Sequence, residues 1–332
     1  MKKIWLYIIV ILILVTILVI FILNQRWGTI RKELRDFALQ DTASVTRIFM
    51  VDKENRHVTL DRTAGNWTLN GKFTARKDAV DILLKTVLRM EIKAPVAKAA
   101  FPNVVKNLAV QSVKVELYQG SNSPAKVFYV GGATQDETGT YMMLENSSTP
   151  FIVHIPGFTG YLSTRFFTDE TEWRDRTICH YKFNDIVMVS MQTNNYQGKS
   201  FRIINERNNS FRLFNPEQNR EIAEFDTIAV KDYIASCRKL SFEYFSKLNR
   251  HQTDSVLNNK PVHIITIEDI NKKQTVIKTF YRPGTGVIND NGEPYKYDID
   301  RMYAQVNNDR QLIVIQQYAF NSILKNIDDF LK

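Results

Sequence analysis

The feature that most limits the fold of this chain is an apolar stretch at its N-terminus. Ile4 to Leu23 contains no charged residue, no Pro and no Gly. As an α-helix rising about 1.5 Å per residue, the stretch would be about 30 Å long, which matches the hydrocarbon core of a bilayer. The sequence therefore predicts a transmembrane anchor over residues 1–27, in contact with the lipid bilayer through residues 4–23.

A cleaved signal peptide is the alternative to an anchor. Signal peptides have an apolar core of roughly 7–15 residues followed by small residues at the cleavage site. Here the core is longer and the polar residues 24–26 and Trp27 follow it, so we expect the segment to stay attached. Basic residues flank both sides, and the positive-inside rule does not set the orientation. The short basic N-terminus is typical of a signal-anchor, which favours the N-terminus inside and the domain outside.

Residues 28–42 follow the anchor. Apolar side chains recur there with helical spacing at Ile30, Leu34 and Phe37. The spacing predicts a juxtamembrane amphipathic helix along the headgroups, or a rigid stalk.

The remaining chain has the composition of a folded, basic protein. Hydrophobic residues make up 44% of the 332 residues and aromatic residues 11%, which excludes disorder as the main state. The net charge of +9 is dispersed, and indicates a solvated basic surface or attraction to anionic headgroups or an acidic partner. The sequence contains no basic helix and no zinc-ligand spacing, so it does not predict nucleic-acid binding. Cys179 and Cys237 fit no metal motif and are expected to be two buried thiols or one disulfide.

The pattern of apolar residues occurs twice along the soluble part. From Val45 it predicts a hairpin, a short strand, a helix over Ala75 to Met90, antiparallel strands, and a short helix over Phe158 to Phe167. The same order begins again at Ile186, with a helix over Thr227 to Phe245. Equal spacings of 22 and then 14 residues support the match: Val45 to Trp67 and Val189 to Phe211, then Val113 to Val127 and Val262 to Val276.

The second half ends with a Gly-, Asp- and Asn-rich insertion near Pro283 to Gln311 and a closing helix over Phe320 to Phe330. We therefore predict an α+β fold in which two tandem, duplicated units of antiparallel sheet carry packed helices. The units are expected at residues 43–181 and 182–332.

The histidines predict no metal site. No second His or Cys lies at ligand spacing from any of them, and no cofactor motif is present, so we expect no metal and no cofactor. His154 interrupts an apolar strand just before Pro156. It is interpreted as a strand histidine bonded to backbone, and the alternative is a ligand or a catalytic base.

A glycine-rich loop runs from Gly131 and Gly132 to Gly139 and carries Asp136. Its backbone N–H groups could approach an anion. However, it joins two antiparallel strands, so it is neither a P-loop nor a Rossmann turn. A hairpin with positive φ angles is the alternative.

A charged segment surrounds Trp173 where the first unit ends. It predicts a joint between the units, with Trp173 buried and Arg174 or Arg176 paired across the seam. The functional alternative is a docking patch, because Trp and Arg are common interface anchors. The motifs G-x-S-x-G, H-E-x-x-H and C-x-x-C do not occur in the sequence, so no enzyme is predicted.

Four segments carry a resemblance to a known family: Trp67 to Asp78 (WTLNGKFTARKD), Val130 to Leu144 (VGGATQDETGTYMML), Phe151 to Gly157 (FIVHIPG) and Trp173 to Arg176 (WRDR). The chain resembles the domain-of-unknown-function (DUF) 4340 family in its Bacteroidetes form, clearly over residues 43–180. The resemblance implies a membrane-anchored envelope protein, because relatives are often encoded beside ABC-transporter and gliding-type membrane components. It implies no catalytic residues.

We therefore expect a non-enzymatic accessory or scaffold subunit of a cell-envelope complex, in the bacterial inner membrane with its domain in the periplasm. Its partners would be other membrane or envelope proteins and not nucleic acid, and no oligomeric state follows from the sequence. The candidate contact residues are Trp173, Arg174, Arg176, Gly131, Gly132, Asp136 and His154. Two alternatives are a binding module for an envelope polymer, lipid or peptide, with a groove between the units near the glycine-rich loop, and a hydrolase around His154 and Asp136.

Overall fold

The computed structural model describes residues 12–18 and 36–332 of the chain. Residues 12–18 form a helical stretch (α1), and the rest of the predicted anchor, residues 1–11 and 19–27, lies outside the described residues. In the described ranges, no helix combines the length and the apolar character that crossing a bilayer requires. Of the predicted juxtamembrane helix, only residues 36–42 are described, and they are irregular rather than helical.

The chain divides into two compact units, one ending at Asp175 and the other running from Arg176 to Lys332. The sequence placed this boundary after Tyr181. Each unit contains one large antiparallel sheet and a few helices, which confirms the predicted α+β class.

Unit 1 is built on a nine-stranded sheet with the strand order β4-β3-β2-β1-β6-β7-β8-β9-β5. Its strands are β1 Arg47–Val51, β2 His57–Thr63, β3 Asn66–Leu69, β4 Phe73–Thr74, β5 Glu91–Pro95, β6 Val113–Tyr118, β7 Lys126–Ala133, β8 Thr140–Leu144 and β9 Phe151–His154. Its helices are α2 Lys77–Arg89, α3 Phe101–Gln111 and the single turn α4 Glu170–Trp173.

Unit 2 contains a second nine-stranded sheet, with the order β14-β13-β12-β11-β17-β18-β19-β20-β16, and a small β10-β15 pair. Its strands are β10 Thr177–His180, β11 Ile186–Thr193, β12 Phe201–Arg207, β13 Ser210–Asn215, β14 Arg220–Ile222, β15 Lys239–Ser241, β16 Tyr244–Phe245, β17 His263–Asp269, β18 Gln274–Pro283, β19 Tyr297–Val306 and β20 Ile313–Gln316. Its helices are α5 Thr227–Ser236, α6 Arg250–Leu257 and α7 Gln317–Phe320.

The two large sheets have the same strand order. Substituting β11–β14 for β1–β4, β16 for β5 and β17–β20 for β6–β9 converts one order into the other. The helices also occupy equivalent places in the two units. Helix α2 follows β4 as α5 follows β14, and α3 precedes β6 as α6 precedes β17. Each sheet is therefore covered by helices from the same places in the chain.

The core of each unit lies on one face of its sheet because strand side chains alternate between faces. In β1, Ile48 and Met50 are fully buried while the residues beside them are partly or fully exposed. Helix α2 packs its apolar stripe, including Val80, Leu83 and Val87, into the same core. The predicted helix over Ala75 to Met90 is thereby confirmed to within two residues at either end.

Several predicted elements differ in the structure. The predicted helices near the unit ends are not formed as predicted. Phe158 to Phe167 contains only a 3-10 turn at Ser163–Arg165, and α7 ends at Phe320, so that Phe320 to Phe330 contains only a 3-10 turn at Ile327–Phe330. The sequence did not predict α3, because Pro102 was interpreted as a break. Proline is tolerated in the first helical turn, where its missing N–H has no partner to lose, and Pro102 occupies that position.

Candidate functional site: a basic cleft in unit 1

Helix α2 has a second stripe beside the one that it buries in the core. At intervals of three or four residues, Arg76, Ala79, Ile82, Lys85 and Arg89 line one wall of a cleft. Such intervals place side chains on one face of a helix, one above the other. Ile82 is 46% exposed and therefore belongs to this second stripe, although its apolar side chain would fit the buried face of the helix.

The opposite wall comes from the chain that follows β9. Ile155, Phe158, Arg165 and Phe167 line it, and the cleft has a volume of about 560 Å³. Pockets of this size accommodate small molecules, and clefts with a largely apolar lining and a few polar groups are typical ligand sites. The cleft lies entirely in unit 1.

Arg165 is held in the cleft by contacts that leave its charge without a counter-ion. Its Nη1 donates a hydrogen bond to Thr86 Oγ1 at 2.8 Å, and its Cζ lies 4.4 Å from the ring centroid of Phe158. Thr86 in turn donates to the backbone oxygen of Ile82 at 2.8 Å. Burial lowers the pKa of Arg165, but a guanidinium stays protonated at neutral pH. No carboxylate pairs with Arg165 among the residues that the structure describes.

The charge in the cleft has one sign. Arg76, Lys85, Arg89 and Arg165 contribute four cations, and no Asp or Glu belongs to the lining. Arg76 forms an ion pair, with its Nε 3.0 Å from Asp78 Oδ1. In residues 12–18 and 36–332, neither Lys85 nor Arg89 forms an ion pair. A half-buried cation without a partner is costly, and an anion in the cleft would lower that cost.

The corresponding place in unit 2 has a different charge. A cleft of about 390 Å³ lies between α5 and the chain that follows β20. Its charged lining residues are Asp232, Lys325 and Asp329, and Lys325 Nζ lies 3.7 Å from Asp329 Oδ1. The fold itself therefore does not require a cluster of cations at this position.

The segment around Trp173 is divided between the two units. Trp173 is fully buried in unit 1, its Nε1 donates to the backbone oxygen of Phe167 at 2.8 Å, and the two rings stack 4.3 Å apart. Arg174 lies over the ring of Phe73 at 4.1 Å. Arg176 belongs to unit 2, where its backbone oxygen accepts from Phe242. A partner at the surface could therefore not reach the Trp173 ring, although the docking role of the arginines stays a prediction.

The glycines of the glycine-rich loop permit close packing. Gly131 and Gly132 continue β7 at an irregular point of its pairing with β8, and neither has a positive φ. A Cβ on Gly131 would lie 2.7 Å from Leu108 Cδ2 of α3, and one on Gly139 2.5 Å from Ile152 Cγ2. Gly131 and Gly132 therefore lie within β7 and not in the loop that follows it. The positive φ in the loop belongs to Glu137.

Alanine substitutions at Gly131 and Gly132 should distinguish the effect of close packing on stability from the effect of backbone freedom. Gly131→Ala is expected to lower the free energy of unfolding by about 1–3 kcal/mol, because the new methyl group overpacks the α3 contact. Gly132→Ala is the matched control, since a Cβ there meets no atom within 4 Å, and we expect no loss. Urea unfolding followed by circular dichroism measures both. Equal losses at the two positions would contradict the packing explanation.

Asp136 and His154 do not form a catalytic pair. Asp136 accepts hydrogen bonds from Thr134 Oγ1 and Thr138 Oγ1, both at 2.5 Å, and these bonds lower the pKa of the Asp136 carboxyl. His154 ends β9 opposite Glu91 of β5. In the described part of the chain, its side chain forms no hydrogen bond with a carboxylate. The same part contains no cluster of three or more His, Cys, Asp or Glu that could hold a metal ion.

The cleft residues were not among the residues singled out from sequence. The available signal was the spacing of Arg76, Lys85 and Arg89 along one helix, beside apolar residues assigned to the core. Arg165 and Phe158 follow about seventy residues later, and no periodicity relates them to α2. The topology brings them together by placing the chain after β9 against the helix.

Comparisons with known proteins agree with the resemblance in the sequence. The family model described as domain of unknown function (DUF4340) matches residues 67–261, more than half of the chain, including parts of both units. No curated protein matches the chain significantly, and no solved structure does. The chain belongs to the DUF4340 family.

Proposed function

We propose that this chain is a non-catalytic binding protein, tethered to the bacterial inner membrane, that takes an anionic amphiphile in the basic cleft of unit 1. The observation that carries the proposal is Arg165, a half-buried cation without a carboxylate partner in the described chain, in a cleft that is also lined by apolar side chains. The tether and the envelope location rest on the apolar stretch over Ile4 to Leu23 and on the family resemblance.

The lining suits a ligand with one anionic head and one apolar part. A guanidinium offers a planar fork of donors that matches phosphate or carboxylate oxygens, while a Lys ammonium acts as a point charge. Arg165, Arg89 and Lys85 supply these donors. Ile82 and Phe158 are exposed apolar side chains in the same cleft and would cover an alkyl chain.

We also infer that the two units are copies of one unit, because their sheets have the same strand order. If so, the cationic side chains of the cleft were gained or retained in unit 1 only. Unit 2 has the equivalent cleft without a net positive lining, so ligand binding is assigned to unit 1.

Calorimetric titration of the full chain tests the proposal. The protein is placed in nanodiscs of zwitterionic lipid and titrated with hexyl phosphate, a soluble anionic amphiphile, and the heat from empty nanodiscs is subtracted. Saturable binding is expected, and Lys85→Gln with Arg89→Gln should weaken it about tenfold or more, because charge-assisted hydrogen bonds are lost. Both side chains are exposed, so this variant should fold normally.

Lys325→Gln in the unit 2 cleft is the matched control and should bind hexyl phosphate as the unchanged chain does. Hexyl trimethylammonium has the opposite charge and should not bind. The proposal fails if the unchanged chain gives no saturable heat, or if the Lys325 variant loses as much affinity as the Lys85 and Arg89 variant.

A second candidate function is that of an accessory subunit of an envelope complex. The observation that favours it is a set of exposed apolar side chains in the β18–β19 connection of unit 2 and in the strand ends beside it: Tyr281, Val287, Ile288, Tyr295, Tyr297 and Ile299. Apolar side chains grouped on a surface are common at protein contacts. After crosslinking in native membranes, co-purified proteins should be lost when Val287 and Ile288 are changed to serine. Unchanged co-purification would contradict this role for the connection.

A further inference from the structure

We infer that the ligand of the basic cleft is an anionic phospholipid of the bilayer that carries the chain, bound while it remains in its leaflet. The inference rests on the proposed function and adds the source of the ligand. It follows from where the N-terminal segment joins unit 1, from how far the cleft can lie from the predicted anchor, and from the apolar side chains at the cleft rim.

The first described residues after the predicted anchor are fixed to unit 1. Phe37 is 2% exposed and packs its ring edgewise against Phe128 and Phe151, at centroid distances of 6.4 and 6.1 Å. Lys126 Nζ donates to the backbone oxygens of Asp36, at 2.7 Å, and of Ala38, and lies 3.3 Å from the Asp36 carboxylate. The segment is therefore packed into the core of unit 1.

The same segment touches the helix that forms the cleft. The backbone N–H of Leu39 donates to the carbonyl of Val87 in the last turn of α2, at 3.1 Å. Arg89 is the last residue of that helix, and Lys85 lies one turn before it. The cationic end of α2 is therefore the end at which the N-terminal segment joins the unit.

The length of the chain limits how far this end can be from the bilayer. Residues 24–35 separate the bilayer-contacting part of the predicted anchor, residues 4–23, from the fixed segment, and twelve residues span at most roughly 40 Å even when fully extended. Helix α2, with 13 residues, is about 20 Å long. The cleft can therefore reach the headgroups without any rearrangement of unit 1.

The rim of the cleft has the chemistry of a membrane-interface surface. Ile82 and Phe158 line the cleft with Lys85 and Arg89 and are 46% and 39% exposed. No acidic residue lies between Asp81 and Glu91 along the helix. Apolar side chains beside Lys and Arg bind at the boundary between headgroups and acyl chains, and each cation near an anionic leaflet adds to the attraction. A soluble phosphate would leave the apolar side chains uncovered.

Fluorescence quenching in nanodiscs tests the inference on the full chain. Thr164→Cys places a nitrobenzoxadiazole label on the cleft lining, and Ala64→Cys places it in the β2–β3 turn as the control. The native thiols should not be labelled, because Cys179 and Cys237 are buried and burial raises the pKa of Cys179 to about 11. The nanodiscs contain a headgroup spin-labelled lipid in either phosphatidylcholine or mixed phosphatidylcholine and phosphatidylglycerol.

Quenching at position 164 is expected to rise at least twofold when phosphatidylglycerol is present, while quenching at position 64 stays the same. Lys85→Gln with Arg89→Gln should remove the rise, hexyl phosphate should compete with it, and inorganic phosphate at the same concentration should not. If hexyl phosphate binds in the calorimeter but phosphatidylglycerol changes nothing, the lipid inference fails and the proposed function stands. Equal competition by inorganic phosphate would identify free phosphate as the ligand and would also overturn the inference.

Discussion

Replacing Trp173 with alanine is expected to lower the free energy of unfolding of unit 1 by about 3–5 kcal/mol, the usual range for truncating a buried tryptophan. Trp173 is fully buried and stacks on Phe167 at 4.3 Å. The substitution removes this stacking, the hydrogen bond from Trp173 Nε1 to the Phe167 backbone oxygen, and most of the side-chain volume at the end of the core.

The same substitution should also weaken ligand binding in the basic cleft. One lining residue depends on the Trp173 side chain, since Phe167 stacks on its ring. We therefore expect Trp173→Ala to lose affinity for hexyl phosphate even under conditions where unit 1 remains folded. Trp173→Phe keeps a ring but loses the indole donor, and should cost less in both measurements.

Trp67→Ala is the control for the loss of a tryptophan as such. Trp67 is half-buried, lies in β3 next to the edge strand β4, and has the Arg62 guanidinium over its ring at 4.8 Å. We expect a smaller loss, because part of the ring already contacts water. Urea unfolding monitored by circular dichroism compares the variants. A Trp173 variant as stable as the Trp67 variant would contradict the position of Trp173 in the core.

Many of the longer strands could be predicted from sequence because each carries its own signal. The short strands β15 and β16 were missed, because they lie in the helix predicted over Thr227 to Phe245, which ends at Ser236. Alternation of buried and exposed residues identifies β1 and β2 locally, and the 3.6-residue period identifies α2. Helix α3 lacked such a signal, since Pro102 normally ends a helix unless it occupies the first turn, and only the N-terminal boundary distinguishes the two cases. The prediction of α3 therefore failed because it depends on knowing where the helix begins.

The relation between the two units was predicted in its order but not in its register. Val189 lies within β11 and pairs with Ile203 and Ile267, whereas Val45 precedes β1, in which Ile48 and Met50 form pairs of this kind. The sequence had matched Val189 with Val45, which lies outside the strand. Insertions in hairpin turns change the spacing between strands at little cost, so equal spacing is a weak guide to equivalence.

The basic cleft could not be predicted at all from local pattern. Arg165 follows the last strand of unit 1 and lies in a 3-10 turn with no periodic neighbours. Its position against Thr86 is set by the whole sheet, which fixes where the chain after β9 returns to α2. Residues that converge from distant parts of the chain require the topology before their chemistry becomes visible.

Unit 2 closes its core with the last residues of the chain, and truncating one of them should be almost as costly as truncating Trp173. Phe330 is 2% exposed and contacts the rings of Phe201 and Tyr233 edgewise, at centroid distances of 4.8 and 5.3 Å. Its backbone oxygen accepts from the N–H of Asp226, which caps α5. Edgewise aromatic contacts add to the free energy gained by burying the ring.

Phe330→Ala is therefore expected to lower the free energy of unfolding of unit 2 by about 3–5 kcal/mol. Leu331→Ala is the matched control one residue later, where the side chain is 44% exposed, and it should cost less than about 0.5 kcal/mol. Hydrogen exchange followed by mass spectrometry reports on each unit separately, and faster exchange should appear in α5 and β12. Because the ring contacts of Phe330 are all within unit 2, the cleft of unit 1 should keep its affinity for hexyl phosphate. Loss of that affinity in the Phe330 variant would show that the two units do not fold independently.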